Sequence, residues 1–519
     1  MSSAARTAAA LLDAVTGSVR RPAHLPDRPI TRVVSRASDV TPGSLFVAIP
    51  GTSADGHTFL ADAARRGAVL AVVERDVGGT LDVPLVRVEN ARRALAEMAA
   101  AWHGHPHREL TMVGITGTAG KTSVLSLLEA ILLAADQRVG SIGSLGLHLD
   151  GRTLDETVYT TPDPVLLHRD LARILDEGGE ITVMEVTSHA LAQDRVHGLQ
   201  YRIGIFTNLL PLEHQDYHDG FDGYVKAKSR FLDMLLPDAP LVYNADDPVV
   251  SRLVRDRALD GVPCGHGPDA AVRVETPEVG ATGTRLRLQV VRPFRRLGGD
   301  SVEPLTLEAR LRLLGRGNIA NATVAATAAL ILGVAPPVIA SALAEFPPPP
   351  RRMEVVYRGR FTILDDTVGH PESVSAVFEL AEQLSPRRLH VVWGVRGQRG
   401  EQINRENAET LAIWAAREAP ETLIITRSTD TADELNRVQD DEYAAFLDVL
   451  REHHIAFQED QRMGSAVHGA LERAGEGDLV LLLGAQGMNE AGVVARRWLG
   501  ERGLTADAPE ASRKVDQRP

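Results

Sequence analysis

From Thr111 the chain reads TMVGITGTAGKTSVLSLLEAILLAA: a strand-length apolar run, a glycine turn closed by a lysine, and a helix-length apolar stretch. No other stretch restricts the fold so much. A strand that empties through a glycine turn into a helix carries the chain back along the sheet, which is the connection of a parallel, helix-covered sheet. Gly117 and Gly120 let successive amides turn toward one anion. Lys121 would reach terminal phosphates, Thr122 is placed to hold Mg²⁺, and Thr118 and Ser123 complete the turn. The helix that begins there offers its positive end to the same anion. Ile115 stands where the usual loop begins with glycine, so the strict pattern fails at that position. A glycine-rich strand–helix turn without a ligand is the alternative. A lysine directly after the turn argues instead for a nucleoside triphosphate.

The rest of the 519 residues leaves room for about two to four domains. From about Ile30 to Arg108, SLFVAI, AVLAVVE and PLVRV alternate with Ala-rich stretches such as TFLADAARRG and ARRALAEMAAAWHG, the texture of a small α/β domain. From Leu110 to about Phe346 the strands lengthen (TMVGIT, ITVMEV, YRIGIFTNL, APLVYN), with helical segments between them, so a mostly parallel sheet is expected. RVETPEVGATGTRLRLQVVRPF and PLTLEARL alternate apolar and polar residues and predict an antiparallel excursion late in that domain. FPPPPRR, Phe346 to Arg352, cannot continue a helix and reads as a stiff linker. FTILDD, RLHVVWGV, ETLIITR and DLVLLLG then predict the buried strands of a third α/β domain, and the tail ADAPEASRKVDQRP is expected to be disordered. These readings divide the chain at 1–108, 109–348, 349–505 and 506–519.

Hydrophobic content of 44% and charged content of 24% are those of a globular protein. A net charge of −13 argues against nucleic acid as a partner without excluding a local anion site. The single cysteine, Cys264, rules out an intramolecular disulfide and suits a reducing compartment. No apolar run approaches the roughly 18 residues that span a bilayer, and Asp13 interrupts the short apolar patch near the N-terminus. The expectation is a soluble cytoplasmic protein with no membrane contact.

A phosphate loop alone leaves kinase, GTPase, transporter ATPase and ligase open. Glu185 closes the buried run ITVMEV at the carboxyl edge of the sheet, where ligands of open α/β folds collect and a carboxylate can hold a metal. A solvated strand-end glutamate is the plain alternative. His214 lies on a loop and Lys228 on the helix after Tyr224; each also reads as an ordinary surface residue.

At this point the sequence resembles the Mur ligases, and within them the MurE-type UDP-N-acetylmuramoyl-tripeptide synthetases. The motifs that carry the resemblance follow in order: GTAGKT, TTPDP at Thr160, MEVTSHAL at Met184, FTNLLPLEHQDYH at Phe206, YVKAKSRF at Tyr224 and NADDP at Asn244. SRASDVTPGSLFVAIPGTSADGHTFLADAARRGAVLAVVE from Ser35 is similar to the family's UDP-binding domain. LLGRGNIANATVAA resembles its adenine-side pattern through Asn318 and Asn321, and RRMEVV and DDTVGHP resemble the start of its C-terminal domain. The resemblance implies a three-domain Mur ligase architecture of class α/β, with a central P-loop parallel sheet and a C-terminal Rossmann-like domain.

It also implies a reaction. Amide formation from a carboxylate needs a leaving group, so the γ-phosphoryl group of ATP passes to the carboxylate and an amine displaces phosphate. Lys121, Thr122 and Mg²⁺ would neutralise charge on the transferred group. Glu185, His214 and Lys228 complete the implied catalytic and metal-binding set, Lys228 as a carbamate; Lys226 fits the family's AK pair less well. Gly117, Thr118, Gly120, Lys121, Thr122, Ser123, Asn318, Asn321, Arg352 and Asp366 match nucleotide-side positions. Ser35, Thr160, Thr161, Ser188 and Arg195 match positions that hold the UDP-linked substrate. The implied partners are small molecules, a UDP-sugar peptide and an amine, and the implied state is a monomer.

The departures cluster on the acceptor side. Ala119 replaces the loop's usual asparagine, and LPLEHQDYH is one residue longer than the family stretch, with Glu213 for an aspartate. DYAHTP becomes Asp366-Thr367-Val368-Gly369-His370-Pro371, GKGHE becomes GAQGMNE from Gly484, and the diaminopimelate-selecting DNPR gives way to Arg427-Ser428-Thr429-Asp430-Thr431. Three readings follow: a cell-wall ligase adding an amino acid to UDP-N-acetylmuramoyl-L-alanyl-D-glutamate, a related ligase of specialised metabolism with another acceptor, or a nucleotide-binding paralogue that does not ligate. In the first two, the acceptor is expected not to be meso-diaminopimelate.

Overall fold

The computed structural model describes residues 7–27, 29–51, 54–78, 81–156, 159–211, 218–259, 261–280, 283–347 and 350–504. His214 and the tail from Ala506 lie outside the described residues. The chain forms two compact units, one of residues 1–274, 288–306 and 320–342, the other of residues 275–287, 307–319 and 343–519.

Among its described residues the first unit contains two main sheets and a small antiparallel pair, Phe294–Arg295 with Ser301–Val302. Near the N-terminus, SLFVAI, AVLAVVE and PLVRV become the strands Ser44–Val47, Leu70–Val73 and Leu85–Val88, parallel neighbours in a five-stranded sheet. Helix Ala91–Trp102 covers it because Asn90 caps the first turn, accepting from the Arg93 amide at 3.0 Å, and Ala94, Leu95 and Met98 fall on one buried face. The larger sheet is built around Thr111–Thr116. Ile181–Glu185 lies parallel on one side and Ile203–Phe206 parallel on the other, so the first strand of the sequence motif ends up interior to the sheet. Met112, Val113 and Ile115 are buried, as an unbroken apolar run requires when both faces of a strand are covered. One cover is the helix Lys121–Ala134, which buries Val124, Leu128, Ile131 and Leu132. The expected antiparallel excursion is present: Val272–Val274 pairs antiparallel with residues 288–290, and in the second unit Glu278–Gly280 pairs antiparallel with residues 283–285.

The second unit has a six-stranded sheet in the order Glu354–Arg358, Thr362–Asp366, Leu479–Gly484, Leu389–Gly394, Thr422–Thr426, Gln458–Asp460. The first pair is antiparallel and the others parallel. The runs FTILDD, RLHVVWGV, ETLIITR and DLVLLLG supply its interior, with Val391, Ile425, Leu481 and Leu483 in one core cluster. The order places the loops after Asp366, Gly394 and Gly484 side by side at one carboxyl edge, where the direction of winding reverses. The helix Pro336–Glu345 stops short of the proline run, as expected. Among the described residues no helix is long and apolar enough to cross a membrane.

Candidate active site

The phosphate loop follows Thr116 at the interior of the larger sheet. Gly117 has φ +146° and Gly120 φ +87°, and a Cβ at either would clash, with Thr207 at the first and with the Asn321 amide at the second. The loop therefore needs both glycines for close approach as well as for backbone conformation. It is braced from behind. The Ala119 amide donates to Asn208 Oδ1 at 2.8 Å, Asn208 Nδ2 returns a bond to the Ala119 carbonyl at 3.1 Å, and Thr207 Oγ1 reaches the same carbonyl at 2.7 Å. Tyr224 Oη donates to Thr118 Oγ1 at 3.0 Å. Gly120 gives the following helix no capping side chain, so the first-turn amides of Lys121, Thr122 and Ser123 form the positive end expected to face an anion.

Two lysines converge on this loop. Lys121 Nζ donates to the carbonyls of Gly117 and Thr118, at 3.0 and 2.9 Å, and Lys228 Nζ donates to the same Gly117 carbonyl at 2.7 Å. Lys228 is only 2% exposed. Burial and the neighbouring Lys121 hold its amine well below the usual lysine range, against the opposing pull of Glu185. A lowered pKa enlarges the share of neutral amine, the form that attacks carbon dioxide to give a carbamate. Lys226, on the same helix, is exposed.

Glu185 ends its strand beside Ile115, 1% exposed. Its carboxylate accepts from Thr122 Oγ1 at 3.0 and 3.1 Å and from the Ser144 amide at 2.8 Å. The plain reading of a solvated strand-end glutamate fails on that burial. A hydroxyl and a carboxylate side by side are hard oxygen donors, and a carbamate on Lys228 would add two more oxygens, a set that suits Mg²⁺. Thr122 and Glu185 thus fit the implied metal.

A cavity of about 340 Å³ opens in front of the loop, lined by Thr118, Lys121, Thr160, Thr161, Ser188 and Lys228 among others. A second, of about 160 Å³, is lined by Ser35, Arg36, Arg92, Asp163 and Gln193. Tyr159 and Arg195 line both. The arginine is held in place, donating to the Thr161 carbonyl at 3.0 Å and through Nε and Nη2 to Gln193 Oε1 at 2.9 and 2.7 Å. Thr161 Oγ1 in turn donates to the Glu185 carbonyl at 2.9 Å, linking the cavity wall to that strand end. A larger cavity of about 500 Å³, with His107, Asp194 and Arg230 in its wall, contains none of the expected site residues.

The second unit shows Asp366 buried, its Oδ2 accepting from the Met353 amide at 2.6 Å; burial pushes its carboxyl up to about 6 against that bond. Arg352 is exposed, whereas its neighbour Arg351 is buried and makes the bonds. Arg351 Nε meets Asp365 at 3.0 Å, Nη1 donates to the Ala485 carbonyl and Asn489, and Nη2 donates to the Gly484 carbonyl at 2.6 Å. Asn318 donates to the Leu314 carbonyl at 2.8 Å. On the rewritten acceptor side, Arg427 pairs with Asp440 and lies 4.2 Å above the Tyr443 ring, and Thr431 Oγ1 donates to the Gly487 carbonyl at 2.6 Å. Glu442 accepts from the amides of Gln398, Arg399, Gly400 and Gln439 at 2.7 to 3.0 Å, and against the cost of burial these hold its carboxyl below the usual range.

The structure thus gathers Gly117, Thr118, Gly120, Lys121, Thr122, Glu185, Lys228 and Asn321 around one loop, and Thr160, Thr161, Ser188, Arg195 and Ser35 along the adjoining cavities. Thr207, Asn208, Tyr224 and Tyr159 were missed by sequence reasoning as site residues, although FTNL and YVKAKSRF contain three of them.

Known proteins are similar to this chain over most of its length. Residues 29–103, 115–329 and 351–486 match the family models described as Mur ligase family, catalytic domain; Mur ligase middle domain; and Mur ligase, glutamate ligase domain. A UDP-N-acetylmuramoyl-L-alanyl-D-glutamate–2,6-diaminopimelate ligase of Geobacillus kaustophilus is 33% identical over 86% of this chain and 87% of its own length. One of the same name from Solibacter usitatus is 33% identical over 91% and 92%. A solved structure of a ligase with that name superposes with a TM-score of 0.69 at 20% identity, covering 94% of this chain and 98% of its own. MurF ligase of Thermotoga maritima in complex with ADP gives 0.60 at 19%, covering 91% and 99%. At those identities the structures establish the shared fold.

Proposed function

The chain belongs to the Mur ligase family, and we propose that it joins an amino acid to UDP-N-acetylmuramoyl-L-alanyl-D-glutamate, with ADP and phosphate as the other products. The ATP-dependent ligation follows from membership of the family; the substrate and the residue roles are our reading. The observation that carries it is the run of side chains from Ser35 through Arg195 and Tyr159 to Lys121 and Lys228, adjoining cavities that suit a nucleotide-linked substrate ending in a carboxylate beside the phosphate loop.

In this reading the loop amides, Lys121 and Thr122 grip the terminal phosphates, with Asn321 on the nucleotide side. Thr160, Thr161, Ser188 and Arg195 align the substrate carboxylate with the γ-phosphorus. Its oxygen attacks, the bond to the β-γ bridging oxygen breaks, and ADP leaves an acyl phosphate. The amine then attacks the acyl carbon, expels phosphate and gives up its extra proton to solvent. Thr122, Glu185 and Lys228 as a carbamate would hold Mg²⁺, which would supply charge neutralisation across the phosphates; His214, the remaining expected ligand, lies outside the described residues.

The relatives' names specify 2,6-diaminopimelate, but the loop after Thr426 supports an acceptor without a second carboxylate. A distal carboxylate in a pocket needs a bidentate cation. Here Arg427 is already paired and stacked, and the Thr431 hydroxyl is spent on a backbone carbonyl. Phosphate release from ATP, measured with the UDP-muramoyl dipeptide across a panel of amino acids, tests the reading. Amine-dependent ADP and phosphate are expected; AMP and pyrophosphate would overturn the acyl-phosphate route.

A further inference from the structure

We propose that Tyr159 is a specificity-determining residue that contacts the sugar of the UDP-linked substrate where the two cavities meet, an inference that rests on the substrate reading above. Tyr159 and Arg195 are the side chains common to both linings. The Arg195 guanidinium carbon lies 4.7 Å from the centre of the Tyr159 ring, so one ring face holds the cation. That contact adds to the bonds from Thr161 and Gln193 and fixes the guanidinium in the passage. Yet Tyr159 remains 44% exposed, a large apolar surface set among hydroxyls and charges such as Thr160, Ser188, Arg36 and Asp163.

An exposed ring in a polar cavity wall has a use if a ligand covers it. A substrate with its nucleotide end near Ser35 and Arg36 and its carboxylate near Lys121 has its sugar at the passage. A pyranose presents a face of C–H bonds, and the negative face of an aromatic ring attracts them. Arg195, held alongside, meets the acidic groups that flank the sugar. The ring thus selects substrates with a sugar at that distance from the reacting carboxylate, while the phosphate loop is indifferent to it.

The test uses the full-length enzyme and three variants, Tyr159→Phe, Tyr159→Leu and Tyr159→Ala, each checked by thermal melting. Tyr159→Phe keeps the ring and should keep the wild-type KM for UDP-muramoyl dipeptide. Tyr159→Leu, which keeps apolar bulk without the ring face, and Tyr159→Ala should each raise that KM ~10-fold while leaving the KM for ATP unchanged. A merely structural role would instead lower kcat and disturb the KM for ATP. A Leu or Ala variant with the wild-type KM for the dipeptide, in an enzyme that turns that substrate over, overturns this proposal alone. A wild-type enzyme that turns over no UDP-muramoyl peptide overturns the substrate reading and this proposal with it.

Discussion

The phosphate loop and the loops at the carboxyl edge of the second unit's sheet are both turns that lead out of buried parallel strands, yet they use their polar groups in opposite ways. Around the phosphate loop the bracing comes from Thr207 and Asn208, which lie behind it, and Lys121, Thr118, Tyr224 and Lys228 line a cavity. In the second unit the charged side chains are themselves the bracing. Arg351 ties the residues after the linker to Gly484 and Ala485, Glu442 gathers the amides around Arg399, and Thr431 is bound to Gly487. Chemistry common to the family is held in the first place by groups that do not react. In the second place the polar side chains are spent on the frame itself.

The sharpest way to break that contrast is Lys121→Ala. It should leave the fold intact, because the Thr207 and Asn208 bonds remain, and lower turnover by roughly 10³-fold through loss of charge stabilisation at the transferred phosphoryl group. Intact activity in that variant would mean that the loop does not hold ATP. Next in size is Lys228→Ala, with an expected loss of roughly 10²-fold against little change for the exposed Lys226→Ala. Mass spectrometry of the native protein under bicarbonate should detect carbamate on Lys228 and not on Lys226; equal effects from the two substitutions would remove Lys228 from the metal site.

On the acceptor side, kcat/KM for lysine should exceed that for meso-diaminopimelate by ~30-fold or more, since an unpaired buried carboxylate costs several kcal/mol. A preference for meso-diaminopimelate would show that Arg427 leaves Asp440 to bind it. The smallest effect concerns acid. His107 and His168 in the first unit are buried, their rings 5.4 Å apart. Burial pushes His107 down to about 4 and His168 well below the ordinary histidine value of 6.5. The unfolded chain therefore binds their protons first, and the stability these groups give is complete above 6.5 and lost as pH falls toward 4. Asp365 and Asp366 in the second unit behave oppositely: burial pushes each from 3.8 up to about 6, so the folded state binds protons more tightly and gains stability as pH falls through that window. Between pH 7 and 5 the first unit should lose stability relative to the second. Hydrogen exchange in Pro164–Asp176 against Thr362–Asp366 measures the difference, and parallel protection in both would contradict it.

Much of this was legible from sequence. Buried strands reveal themselves because both faces are apolar, and glycine, lysine and threonine around residue 120 have few other uses together. Glu185 could be placed by its strand, though its burial could not. The strands Glu354–Arg358 and Gln458–Asp460 were not anticipated, because edge strands carry partly exposed and charged residues and lack the apolar run. Residues 275–287 and 307–319, read by continuity as part of the central domain and spanned by the middle-domain family model, group with the second compact unit by packing. Arg351, at φ +53°, looked like one arginine of a pair; only tertiary contact shows that it is the buried one. Tyr159 precedes a recognisable motif and so drew no notice, its role depending on a neighbour that lies far along the chain.

The interior position of Thr111–Thr116 also has a consequence for synthesis. Its two sheet neighbours, Ile181–Glu185 and Ile203–Phe206, and its braces Thr207 and Asn208 are all made later by the ribosome. Until then the nascent chain carries a nearly uniform apolar strand with both hydrogen-bonding edges unpaired, a template for association with other chains. The nucleotide loop cannot take its final shape before Asn208 has emerged. Between translating Thr116 and translating Asn208 the growing chain carries that strand without its final neighbours, a state open to association.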